Sequence, residues 1–207
     1  MYLDDILIVS ENESQHSSDL TNVLSILSRN NLRLTLHKCE FFKSSLTFLG
    51  YEISLTGIRS PTYRIDVIVA FQLPESSTDM RRFMCMLNFF RQIIPNFANI
   101  AFHLTELLRL QPKAKIISWT AEAKDSFEKL KQALASCPTL SFPSPGVAHY
   151  QLVTDASSQA VGGALYQMID NTPHPIGFFP KKLSQTQRVL STYDRELLAS
   201  FLAVLHF

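Results

Sequence analysis

Residues 2–9 read Tyr2-Leu3-Asp4-Asp5-Ile6-Leu7-Ile8-Val9. Two adjacent carboxylates stand between a large apolar residue and an apolar run carrying β-branched residues, which favour strands. The pattern predicts an acidic turn at a hairpin tip and a buried strand over Ile6 to Ser10. Paired carboxylates so placed suit a hard divalent cation, which prefers oxygen ligands. Taken alone, the tetrapeptide reads more simply as an exposed acidic turn.

The rest of the chain decides between these readings. Its 207 residues are 46% hydrophobic with only six glycines, enough for a core in one or two domains. The net charge of +1 does not announce a nucleic-acid partner. Basic residues recur locally, at Lys38/Lys43, Arg81/Arg82, Lys113/Lys115, Lys124/Lys129/Lys131 and Lys181/Lys182. Most such clusters are solvated faces. Cys39, Cys85 and Cys137 share no ligand spacing and read as reduced thiols of an intracellular protein. The histidines form no metal-binding spacing either. Two acids and no cationic segment near Met1 exclude a signal-peptide reading there. The apolar stretch from Leu197 to Phe207 is interrupted by Ser200 and His206 and is too short to span a bilayer.

Leu20, Val23, Leu24 and Leu27 recur at helical spacing, and Asn30-Asn31 closes that helix. Leu32 to Leu36 alternates like a half-buried strand. Thr47 to Ile53 and Gly57 to Arg59 bracket a hairpin. After Pro74, Ser77 or Thr78 is placed to cap a helix through Met80, Phe83, Met84, Leu87 and Phe90, ending by Pro95. A second helix covers Ile100 to Leu110. A third, capped by Thr120, turns Phe127, Leu130 and Leu134 inward and stops before Pro138. Ser141 to Gly146 reads as a linker. Strands follow at Tyr150 to Thr154, Ala164 to Met168 and Ile176 to Phe179. Thr192 is placed to cap a last helix with Leu197, Leu198, Phe201, Leu202 and Leu205 apolar.

A set of short motifs occurs in a telling order. Tyr2-Leu3-Asp4-Asp5 is followed by His37-Lys38-Cys39-Glu40-Phe41-Phe42 and Phe48-Leu49-Gly50-Tyr51. Asn88-Phe89-Phe90-Arg91, Ile94-Pro95-Asn96-Phe97, Leu104-Thr105-Glu106-Leu107-Leu108 and Trp119-Thr120 come next. Thr154-Asp155-Ala156-Ser157 and Tyr193-Asp194-Arg195-Glu196-Leu197 complete it. The ordered set resembles the reverse transcriptase and ribonuclease H region of long-terminal-repeat retrotransposons of the Ty3/gypsy type, across essentially the whole chain. Each motif is only moderately specific; their order is highly specific.

The resemblance implies an α+β fold. Residues 1–72 correspond to the end of the polymerase palm, 73–112 to the thumb, 113–146 to the connection, and 147–207 to the first part of a ribonuclease H-like domain. Asp4 and Asp5 match the metal-binding aspartates of the palm. Asp155 and Glu196 match the first two acids of the ribonuclease H centre. Two magnesium or manganese ions at each centre are implied. Leu49, Gly50 and Tyr51 match the hairpin that grips the primer terminus. Arg81, Asn88 and Phe89 lie with Cys85 on the thumb-helix stripe that follows the primer–template duplex. As a helical stripe, it reads equally as packing surface. The implied partners are an RNA/DNA hybrid or primer–template duplex, with deoxynucleoside triphosphates as substrates of the parent enzyme and no membrane. The chain is expected to be intracellular, in a cytoplasmic virus-like particle or the nucleus.

Two positions depart from the family. Cys85 stands where relatives usually carry glycine, and its side chain hinders close approach to a duplex. Pro180 replaces a usual serine, so its strand must end there or lie at an edge. The family's remaining palm aspartate would precede Met1, and a further ribonuclease H aspartate would follow Phe207. The isolated chain is therefore expected to catalyse neither reaction. The alternative from another class is a non-catalytic nucleic-acid-binding remnant or domesticated protein, whose binding weakens steeply with salt.

Overall fold

A computed structural model describes residues 4–144, 146 and 149–207. Tyr2 and Leu3 lie outside the described residues, as does part of the expected linker. The chain divides into two compact units, Met1–Leu55 and Thr56–Phe207.

The first unit is built on helix α1, Glu13–Arg29. Asn12 caps it by accepting from the Gln15 amide at 2.9 Å. At the other end Asn31 adopts φ 57° and the Leu32 amide returns to the Leu27 carbonyl, the left-handed closure expected of the Asn pair. A single 3₁₀ turn covers Leu36–Lys38. Strands β1, Ser45–Phe48, and β2, Tyr51–Ser54, pair antiparallel with Phe48 opposite Tyr51. Leu49 and Gly50, at φ 50° and 85°, form the two-residue turn between them. This mirror-image turn matches the strand twist and demands positive φ at both positions, which glycine accepts freely.

Two expectations in this unit are corrected. Ile6 to Ser10 forms no strand, and Val9 is 77% exposed. Leu32 to Thr35 is exposed irregular chain and Leu36 opens the 3₁₀ turn, so the half-buried strand expected there does not form. An apolar or alternating run makes a strand only where a neighbour accepts its ladder bonds, and neither run has one among the described residues.

The second unit opens with β3, Gly57–Arg59, which bridges Leu140, and α2, Thr62–Val69. Helix α2 was not anticipated, because Ile65, Val67, Ile68 and Val69 are β-branched. Helix α3 spans Ser77–Phe89. Its cap is Ser76, not Ser77 or Thr78; Ser77 is buried and donates to the Gln111 carbonyl at 2.6 Å. The helix expected over Ile100 to Leu110 is α5, Phe102–Leu110, and a short helix α4, Phe97–Ile100, that was not anticipated precedes it. Helix α6, Ala121–Ala135, is capped by Thr120 as expected. Met80, Phe83, Leu87, Leu104, Phe127, Leu130 and Leu134 are almost completely buried and form the helical core. Phe83 meets Phe127 at 4.6 Å and Phe71 at 5.4 Å between ring centroids. The Trp119 indole N–H donates to the Pro74 carbonyl at 2.9 Å.

Strands β4, Tyr150–Ala156, β5, Ala160–Ile169, and β6, Thr172–Lys182, form an antiparallel sheet in chain order. Pro173, Pro175 and Pro180 all lie on β6, an edge strand, so none removes an interior ladder donor. A short helix α7, Gln185–Arg188, leads to α8, Thr192–His206, whose cap is Ser191 rather than Thr192. Helix α8 rests on the sheet through fully buried Ala199 and Ala203. A Cβ on Gly163 would stand 2.9 Å from the Ala203 Cβ, so the helix sits this close only over glycine. Among the described residues no helix is long and apolar enough to cross a membrane.

Candidate functional site

Asp4 lies in a turn, and both Asp4 and Asp5 are exposed. Their oxygens are open to solvent, as a cation site or a solvated turn would have them. Behind them, Ser10 Oγ donates to Asp19 at 2.7 Å and lies 3.2 Å from His16 Nδ1. These bonds moor the incoming chain to α1, and that from Ser10 is the main cause holding the Asp19 carboxyl below its usual range. Leu49 is 41% exposed at the hairpin tip, while Gly50 and Tyr51 are half-buried.

On α3 the stripe separates from the core. Met80, Phe83 and Leu87 are buried, whereas Arg81, Cys85 and Asn88 are exposed and Phe89 is half-buried. Arg81 donates from Nη2 to the Pro112 carbonyl, a bond the sequence did not announce. A guanidinium carries five N–H donors, so this contact leaves others facing solvent. The Arg64 guanidinium stands 5.1 Å from the Phe89 ring centroid.

Asp155 and Glu196 lie on elements that pack directly on one another. Asp155 is the penultimate residue of β4, directly opposite Gly162 on β5. Glu196 is exposed in the second turn of α8. Between the elements, Thr154 Oγ1 and Ser200 Oγ share a hydrogen bond of 3.0 Å. Thr154 is the chain neighbour of Asp155, and Ser200 is one turn beyond Glu196, to whose carbonyl it donates at 3.1 Å. Carboxylate oxygens are the donor type a hard divalent ion takes. Their number falls short: among the described residues no three His, Cys, Asp or Glu side chains gather as a metal cage.

One cluster was missed at the sequence level. Glu106 accepts from Lys182 Nζ at 2.7 Å and Arg109 Nε at 2.8 Å, with Arg188 at 3.8 Å. The Lys182 ammonium is the largest cause holding the Glu106 carboxyl down to about 2. Lys182 and Arg188 also each stand 5.3 Å from the Phe102 ring centroid. The cluster joins α5 to β6 and α7. Glu106 lay in a recognised motif and Arg109 is its neighbour one helical turn on, but Lys182 is 76 residues away along the chain and no local period reveals it.

Comparison with known proteins bears on the family and the fold. The family model described as "Reverse transcriptase (RNA-dependent DNA polymerase)" matches residues 1–53, and "RNase H-like domain found in reverse transcriptase" matches residues 119–207. The Tf2-3 transposon polyprotein of Schizosaccharomyces pombe is 33% identical over all of this chain and 15% of its own length. The retrovirus-related Pol polyprotein from transposon 297 of Drosophila melanogaster is 34% identical over 96% of this chain and 18% of its own length. The chain thus spans less than one fifth of these curated relatives. In fold, the whole chain matches a foamy viral protease-reverse transcriptase in complex with RNA/DNA hybrid, with a TM-score of 0.83, 23% identity and 28% of that chain covered. The same enzyme in complex with double-stranded DNA, designated dRH, gives a TM-score of 0.82 with 36% of that chain covered. The α+β architecture is that of these enzymes, and the chain belongs to the reverse transcriptase–ribonuclease H family of retrotransposon polyproteins.

Proposed function

We propose that this chain supplies one part of each of two catalytic centres in a retrotransposon RNA-directed DNA polymerase with associated ribonuclease H. The observation that carries the reading is the packing of β4 on α8, tied by Thr154 and Ser200 beside Asp155 and Glu196. In this reading residues 1–72 end the palm, 73–112 form the thumb, 113–146 the connection and 147–207 begin the ribonuclease H-like domain. Asp4 and Asp5 hold divalent ions, magnesium or manganese, at the polymerase centre; Asp155 and Glu196 hold them at the ribonuclease H centre. Bound there, such ions activate an oxygen nucleophile and neutralise charge on the reacting phosphate.

The other roles belong to binding. Leu49, Gly50 and Tyr51 present a narrow hairpin tip to the primer end. Arg81, Asn88 and Phe89 offer the duplex a helix face, with Arg81 meeting backbone phosphate. The ligands are an RNA/DNA hybrid or primer–template duplex, and deoxynucleoside triphosphates are consumed by the parent enzyme. Exposed Cys85 narrows the approach to that face. Neither centre is complete in carboxylates within these 207 residues, so the isolated chain catalyses neither reaction.

Activity assays on two polypeptides test this. The 207-residue chain is expected to show neither primer extension nor RNA-strand cleavage with magnesium. A polypeptide extended on both sides to the lengths of the relatives is expected to do both. Asp4→Asn in it abolishes extension alone, and Asp155→Asn or Glu196→Gln abolishes cleavage alone. Extension or cleavage by the isolated chain, or full activity of the substituted long form, contradicts the reading.

A further inference from the structure

We propose that Asn99, braced by Asn96, is a positioning residue for the ribonuclease H-type centre, acting through Ser157 to fix the turn that follows Asp155. The inference rests on the ribonuclease H reading above.

The turn is short. Strand β4 ends at Ala156 and β5 begins at Ala160, and the Ser157 amide donates to the Ala160 carbonyl at 2.9 Å. Ser157 Oγ is the hub of this turn. It accepts from the Gln159 amide at 3.0 Å and the Ala160 amide at 2.9 Å. A hydroxyl has one hydrogen to give. Two acceptors compete for it, Asn99 Oδ1 at 2.5 Å and the Ala160 carbonyl at 3.0 Å, and the shorter contact goes to Asn99. Asn99 in turn donates from Nδ2 to Asn96 Oδ1 at 2.6 Å.

The brace comes from outside the sheet. Asn96 precedes α4 in the left-handed region, φ 54°, and its side chain makes no cap bond to that helix. Its Oδ1 instead lies 4.0 Å from where a Cβ would stand on Gly162, the residue directly opposite Asp155. Asparagine is among the few side chains that adopt this backbone conformation readily. The pair thus reaches the last rungs of the β4–β5 ladder from helix α4. Strand ends fray unless tied, and β4 is an edge strand of its sheet with Asp155 one residue from its end. Fixing Ser157 fixes the backbone from which the Asp155 carboxylate projects. This also gives a role to Asn96 in the motif Ile94-Pro95-Asn96-Phe97, to which the sequence assigned none.

The test uses the ¹⁵N-labelled 207-residue chain and manganese(II) alone as probe, read by paramagnetic broadening of amide resonances. The parent chain is expected to lose the signals of Asp155, Ala156 and Glu196 first. Outer partners of metal ligands typically change metal affinity by 10-fold or more, so Asn99→Ala raises the manganese concentration for half-broadening at Asp155 about tenfold. Alanine is a strong helix former, so α4 tolerates the change. Ser157→Ala produces a similar loss, and Ser157→Thr, which keeps the hydroxyl, stays within about twofold of the parent. Because Asn99 acts through Ser157, the double substitution costs no more than Ser157→Ala alone. Unchanged midpoints in Asn99→Ala overturn the inference while leaving the ribonuclease H reading intact. Should that variant fail to fold, equal midpoints for Ser157→Ala and Ser157→Thr overturn it instead. A parent chain with no selective broadening at Asp155 and Glu196 overturns the reading itself, and this inference with it.

Discussion

The two units of this chain handle their apolar residues in opposite ways. In Thr56–Phe207 the helices close on one another, and Phe83, Met80, Leu87, Leu104, Phe127, Leu130 and Leu134 are 0–1% exposed. In Met1–Leu55 no described residue is buried. Leu20, Val23, Leu24 and Leu27, the inner stripe of α1, line a cavity of about 140 Å³ with Ile6, Leu7 and Ile8 instead of packing into a filled core. A regular hydrophobic period therefore guarantees a helix without guaranteeing what covers it. The candidate acids fall on both sides of this difference: Asp4 and Asp5 sit in the unit with the less complete interior, Asp155 and Glu196 in the packed one.

The comparison can be broken at the core first. Phe83→Ala is expected to cost about 3–5 kcal/mol, the usual range for a fully buried phenylalanine in a packed aromatic cluster. Leu24→Ala, at a site already 38% exposed, is expected to cost about 1 kcal/mol or less. Urea unfolding monitored by Trp119 fluorescence reads the first, and exchange of the α1 amides reads the second. Equal losses would erase the distinction.

Glu106 sharpens the same contrast, because its cluster fastens α5 to β6 and α7 within the second unit. Glu106→Gln is expected to remove about 1–2 kcal/mol, since Lys182 and Arg109 lose a charged acceptor that is only 18% exposed. The pH dependence has a definite sign. The folded carboxyl titrates near 2 against an ordinary value of 4.5, so its contribution is fully present above about 4.5. It declines as pH falls from there and is gone below about 2. Acid unfolding of the parent chain should show this decline, and Glu106→Gln should flatten it; the same slope in both would count against the cluster.

Gly50→Ala is the smallest of these effects. Gly50 sits at φ 85°, and an alanine there is strained by about 1 kcal/mol. The loss should appear as faster exchange of β1 amides with no change in α6. No change in β1 would mean the turn is held by something other than its own backbone.

The sequence made the helices legible where an amphipathic period met a cap, as at α1, α3 and α6. Caps one residue upstream of those expected, Ser76 and Ser191, follow from runs of neighbouring hydroxyl residues in which any member can serve. Strands were less legible, since Ile6 to Ser10 carries the right residues but has no ladder partner. Helix α2 was hidden by its β-branched residues, and tertiary contact overrode their preference. Of the candidate site, the acids stood out through their motifs. Their supports did not: Ser200, Asn99 and Lys182 meet partners 46, 58 and 76 residues distant. Such pairings arise only when the chain folds.

Native-state hydrogen exchange on the 207-residue chain tests the central contrast most directly. Amides of α3, α5 and α6 should exchange only through global unfolding and share one free energy. Amides of α1 and β1 should exchange through local openings of much lower free energy, unchanged by Phe83→Ala. A single protection level across both units, falling together in Phe83→Ala, would contradict the account.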